Sequence, residues 1–142
     1  MEDYQLCRWV PQIPLDDVEG LPVWKPETLL VFMGARPTSF EWSGISEWLQ
    51  DACRLLDEGL LLAELEDRPR AVWMKTAYIT EVGERPDLSD VLAEGAPTNT
   101  QGPYLFGERN RHHGTHKREP AWSPKHEVVD YVFPRWGNDK QQ

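Results

Sequence analysis

Residues 60–82, LLLAELEDRPRAVWMKTAYITEV from Leu60 to Val82, decide the fold. Leu60 to Leu65 is a short apolar run closed by Glu66-Asp67-Arg68-Pro69, and it reads as a strand. Arg70 to Val82 carries Val72, Trp73, Thr76, Tyr78, Ile79, Thr80 and Val82. β-Branched and aromatic side chains suit a pleated, half-buried surface, so this segment reads as a long strand. The turn between the two is short, and a β-hairpin is expected.

Working outward, Leu29-Leu30-Val31-Phe32-Met33 is a continuous apolar run ended by Gly34. That pattern suits a buried central strand. Gly44 to Glu58 reads as the main helix. Its apolar positions Ile45, Trp48, Leu49, Ala52, Leu55 and Leu56 fall on one face of a 3.6-residue period. Ser43 is its expected cap and Gly59 its stop. Asp87 to Glu94 reads as a short helix capped by Asp87 and ended by Gly95. Glu127 to Phe133 reads as a last strand, stopped by Pro134.

The expected fold is a single α+β domain over residues 1–142. A mixed or antiparallel sheet of four to five strands carries one main helix, with a mostly β barrel as the second choice. Residues 1–27, with Pro11, Pro14, Pro22 and Pro26, form an extended arm, because proline fixes φ and removes a donor. Residues 95–125 form a long irregular loop before the last strand. Residues 137–142 are an expected frayed tail.

Composition narrows the function classes. The chain has 142 residues with 24 acids and 15 bases, a formal net charge of −9. That balance speaks against general nucleic-acid or anionic-membrane binding. No apolar stretch approaches the roughly 20 residues of a membrane span. Met1-Glu2-Asp3-Tyr4 does not open a secretory signal, and the two cysteines, Cys7 and Cys53, have no metal-motif spacing. A reduced, cytoplasmic protein is expected. No catalytic motif, metal site or cofactor site is read from the sequence.

Charge is uneven. Residues 1–108 hold 20 acids and 8 bases, whereas residues 109–142 hold 4 acids and 7 bases. Arg109 to Arg118 concentrates Arg109, Arg111, Lys117 and Arg118 with His112, His113 and His116, and has no acid. Guanidinium forks and ammonium groups match phosphate oxygens, and Tyr104, Phe106 and Trp122 nearby offer rings for stacking. One reading is therefore a small enzyme or a domain binding a nucleotide or another phosphate-bearing ligand. Its residues would be Arg109, Arg111, His113, His116, Lys117, Arg118, Tyr104 and Trp122.

The acidic half supports the leading reading. Asp16, Asp17 and Glu19 form one cluster, and Glu64, Glu66 and Asp67 another, with Trp24 an aromatic anchor. An acidic surface steers and holds a basic protein surface, and exposed tryptophans make binding hot spots. The expected function is thus a small acidic binding protein that sequesters or inhibits a partner with a basic surface, of the phage counter-defence or immunity type.

Overall fold

Pro69 does not turn one strand into another; it starts a helix. The computed structural model describes residues 9–98, 100–107 and 121–132. Among these residues there are six α-helices, α1 Pro26–Ala35, α2 Trp42–Ile45, α3 Leu49–Arg54, α4 Glu58–Leu65, α5 Arg70–Val82 and α6 Pro86–Gly95. They also form two small sheets, one of β1 Asp16–Val18 and β2 Leu21–Val23, the other of β3 Tyr104–Phe106, β4 Ala121–Ser123 and β5 Val128–Asp130. The expected four- to five-stranded sheet with one main helix is overturned, and with it the β barrel: the body is helical.

Leu60 to Leu65 is helical because its residues are. Five of the eight residues in α4 are leucine or alanine, and none is β-branched. Asp57 caps it, its carboxylate accepting from Leu60 N at 2.9 Å. Pro69 stands at the N-cap of α5, where its missing N–H costs nothing. The β-branched and aromatic residues of α5 are tolerated because that helix is central. Trp73, Met74, Thr76, Ala77, Tyr78, Ile79 and Thr80 are all buried, and α5 packs on both α1 and α6. Burial around much of a helix hides its period.

The run Leu29 to Met33 is likewise helix α1, with Pro26 in its first turn. Periodicity alone does not separate a short buried strand from a buried helix. Gly34 permits the close approach of α5, since a Cβ there would stand 2.5 Å from Thr76 Oγ1. The long helix expected over 44–58 is broken into α2 and α3, with Trp48 at φ −119° and ψ 3° between them. The buried residues are Ile45, Leu49, Cys53 and Leu56, still spaced by three or four, while Trp48 and Leu55 are exposed. The buried stripe runs through Cys53, which packs inward opposite Gly83. The short helix near Asp87 is α6, although Arg85 takes the N-cap position and Asp87 lies in the first turn.

The expected loop over 95–125 contains two edge strands. Strand order is β3-β5-β4, with β5 parallel to β3 and antiparallel to β4. Phe106, Val128 and Asp130 face the helices and are buried. Rings link this sheet to the other end of the body: Trp24, Phe32, Phe40, Trp42, Phe106 and Tyr78 follow one another with centroids 5.1–6.1 Å apart.

Candidate protein-docking face

The described part of the arm bends at Gln12 and Ile13, and Gln12 ties it to α4. Gln12 Nε2 donates to Ala63 O, Glu64 O and Glu66 O at 3.3, 2.8 and 2.7 Å. These carbonyls lie at the C-terminal end of α4, where helix carbonyls lack intrahelical donors. Glu64 completes the joint from inside. Its Oε1 accepts from Gln12 N, Ile13 N and Thr28 Oγ1 at 3.0, 3.3 and 2.9 Å, and its Oε2 accepts from Arg68 Nη2 at 2.6 Å. Glu64 is fully buried, so it serves the fold and is unavailable to a partner. The Arg68 guanidinium also lies 4.0 Å over the Trp9 ring and donates to Val10 O.

Beyond this joint the arm folds into a hairpin, where its prolines predict extended chain. Asp16 pairs with Val23, Asp17 with Pro22 and Val18 with Leu21. Glu19 and Gly20 have φ of 53° and 83°, both left-handed, as a two-residue type I′ turn requires. Asp17 accepts from Gly20 N at 2.8 Å and braces the turn. The signal was present in the sequence: two apolar residues flank Glu-Gly, a weaker form of the Asp-Gly hairpin pattern.

The hairpin is its own two-stranded sheet. Val18 and Leu21, directly opposite one another at its tip, are 53% and 65% exposed. Asp17 and Glu19 beside them are also exposed. Asp16 is ion-paired with Lys25 at the base. Trp24 is half-buried and meets Phe32 edge-on at 5.4 Å, so it anchors the hairpin to α1.

Glu66 and Asp67, the rest of the second acidic cluster, are exposed at the α4–α5 turn. They rim an open groove of about 460 Å³ lined also by Arg68, Pro69, Trp73, Gly95 and Pro97. Neither carboxylate has a hydrogen-bond or ion-pair partner among the described residues.

The basic alternative is not assembled by the described residues. Arg109, Arg111, His113, His116, Lys117 and Arg118 lie outside them. Tyr104 and Trp122 are both described and face opposite ways. Trp122 and Leu105 are each in register with Val129 on the outer face, whereas Tyr104 is in register with Val128, which is buried. Phe106 is fully buried, so the three rings form no common stacking platform.

Sequence reading missed a buried polar chain. His126 Nδ1 is 2.8 Å from Ser123 Oγ, and its Nε2 is 2.7 Å from Ser89 Oγ, which donates to Glu81 Oε1 at 3.0 Å. Burial pushes the His126 imidazole down to about 4; Lys125 acts in the same direction, Glu81 and Asp90 against it. With Ser89 and the imidazole both buried, this chain ties the β4–β5 turn to α5 and α6. The Tyr78 hydroxyl donates to the Asp130 carboxylate beneath the sheet, and burial with that neighbour pushes the phenol well up. Burial also pushes the free Cys53 thiol up to about 11, against the opposing pull of Arg85, which removes it as a nucleophile. Among the described residues no group of three or more side chains could hold a metal ion, and no helix is long and apolar enough to cross a membrane.

No protein-family model matches the chain, and no curated protein is similar to it. A solved structure is similar: the crystal structure of the RV2827C protein from Mycobacterium tuberculosis. The TM-score is 0.67 at 28% sequence identity, over 80% of this chain and 37% of that one. The chain thus spans well under half of the solved protein. The likeness bears on the fold and brings no activity with it.

Proposed function

We propose that this domain is a protein-binding module whose β1–β2 hairpin docks on a basic partner surface. The outcome is sequestration or inhibition of that partner, as an immunity protein or phage counter-defence factor would achieve. One observation carries the reading: a two-stranded hairpin with its apolar tip in water. An isolated hairpin of three-residue strands is marginal. A partner that covers Val18 and Leu21 removes apolar surface from water, at about 25 cal/mol per Å². Asp17 and Glu19 flank that tip, and the net charge of −9 favours approach of a basic surface. The reading is of a binder rather than an enzyme, acting in the cytoplasm, where a free thiol such as Cys53 is ordinary.

The experiment places a photo-crosslinking amino acid at Leu21 in the full chain, in the protein's own host. The control position is Leu55, which is 73% exposed on the helical body. Capture of one discrete protein from Leu21 and not from Leu55, weakened by added salt, is the expected result. Equal capture from both positions, or none from Leu21, sinks the proposal.

A further inference from the structure

The buried chain through His126 has a direction, set from its carboxylate end. Burial pushes the Glu81 carboxyl up, but hydrogen bonds from Lys125 and Ser89 outweigh it and hold the group below its usual range. An ionised carboxylate only accepts, so the single Ser89 proton goes to Glu81 Oε1 at 3.0 Å. Ser89 Oγ must then accept from His126 Nε2–H at 2.7 Å. That fixes the tautomer: the neutral imidazole carries its lone pair on Nδ1. Nδ1 is 2.8 Å from Ser123 Oγ and accepts the Ser123 proton. The opposite tautomer would set the Ser89 and Glu81 oxygens lone pair to lone pair. The Tyr78 ring stands edge-on to the imidazole at 5.7 Å and holds its plane.

Nucleophile activation needs a hydroxyl, a base within hydrogen-bond reach and a third group that orients the base. Ser123 and His126 are the first two. Ser89 is the third, and it couples the base to Glu81. Position favours the same role. Ser123 ends the edge strand β4 and is half-buried, while Trp122, Pro124 and Lys125 around it are exposed. The base behind it is 1% exposed, so little of it is open to water. We infer that Ser123 is an activated nucleophile that accepts an acyl group from a carboxylic ester.

In that step Ser123 Oγ bonds to the ester carbonyl carbon, its proton passes to His126 Nδ1, and the bond to the alkoxy group breaks. The proton then leaves His126 with the departing alkoxide. The positive charge that the imidazole carries in between faces Glu81 through Ser89. The products are acylated Ser123 and an alcohol. The inference is independent of the docking reading, since no residue of the hairpin takes part.

The test treats the full chain with a fluorophosphonate and locates the adduct by peptide mass spectrometry. Phosphorus stands in for the carbonyl carbon, and fluoride for the alkoxide. The adduct is expected at Ser123, at least about tenfold faster than at Ser43. Ser43 is exposed, and both nitrogens of the one described histidine are taken up elsewhere. Around His126 stand Tyr78 and Glu81 from α5, Ser89 and Asp90 from α6, and Lys125 from its own turn. The imidazole is neutral from pH 6 to 8, so the Ser123 rate should be level there. An unassisted serine, reacting as alkoxide, gains about tenfold per pH unit. His126→Gln should slow the adduct by roughly 100-fold. Glu81→Gln, at an exposed position, should slow it roughly 3–10-fold, the size of one hydrogen bond, and decides the case if His126→Gln fails to fold. No adduct at Ser123, an adduct no faster than at Ser43, a rate that climbs with pH as an alkoxide's does, or an unchanged rate in either variant each overturns the inference.

Discussion

Two acidic stretches of similar composition, Asp16 to Glu19 and Glu64 to Asp67, are used in opposite ways. In the first, Asp17 and Glu19 point into water around a turn. In the second, the leading glutamate accepts four hydrogen bonds in the interior. The difference is positional. Leu61, Glu64, Leu65 and Arg68 recur at three- and four-residue spacing, so Glu64 belongs to the inward stripe of α4 and takes Arg68 with it. Glu66 and Asp67 fall past the helix end and return to the surface. An acidic cluster on paper is therefore two populations, and the helical register sorts them.

The sharpest way to break this contrast is Glu64→Ala. It leaves Arg68 half-buried and strands the Gln12 and Ile13 amides, and should cost about 3–5 kcal/mol, as loss of one partner of a buried ion pair does. Asp17→Ala or Glu19→Ala should stay within about 0.5 kcal/mol, as exposed changes do. Denaturant melts of the three variants give the comparison directly. A Glu64→Ala loss below about 1 kcal/mol would put Glu64 among the surface acids.

The second largest effect concerns protons. His126 is neutral when folded, with a pKa about 4 against 6.5 when unfolded. Its contribution is full above pH 6.5, shrinks as pH falls from 6.5 towards 4, and is gone below that. The ceiling is about 3 kcal/mol. Wild type should lose more stability than His126→Gln between pH 7 and pH 5, measured by melts at both. Parallel losses would remove the buried chain as the cause.

Gly34→Ala comes next, at about 1–3 kcal/mol, because its Cβ has no space against Thr76. On the hairpin side, Val18→Asp should leave the melting curve within about 0.5 kcal/mol of wild type and abolish partner capture by the crosslinker at Leu21. A large stability loss there would make Val18 part of the body's core.

How much of this was legible follows the same division. Helix α6 and strand β5 were readable because short-range signals marked them: Pro86, Asp87 and Gly95 for one, Val128-Val129-Asp130 before Pro134 for the other. Leu29 to Met33 and Arg70 to Val82, which read as strands, are buried on several sides, where neither period shows; in Leu60 to Leu65 the inward stripe of Leu61, Glu64 and Leu65 includes an acid, so the apolar pattern hides it. For Leu60 to Leu65 the leucine and alanine content outweighed the run's length. Of the candidate site, the acids were visible but their fates were not. Glu64 is drawn inward by long-range bonds to Gln12, and Trp24 is half-buried against Phe32. The exposed Val18 and Leu21 are masked in the sequence by the prolines around them, which predict an extended arm.

The order of strands in the small sheet has a consequence for how the molecule is made. β5 lies between β3 and β4 yet follows both in the chain. Neither edge strand has its ladder partner until Val128 to Asp130 is present. The helices depend on no such wait, since α4, α5 and α6 are sequence neighbours joined by short turns. Assembly is therefore expected in two stages, a helical body first and a sheet sealed by its last-made strand. A chain ended at Glu127 should retain slow hydrogen exchange in α5 and lose it in β3. Uniform loss of protection would mean that the sheet and the body form together.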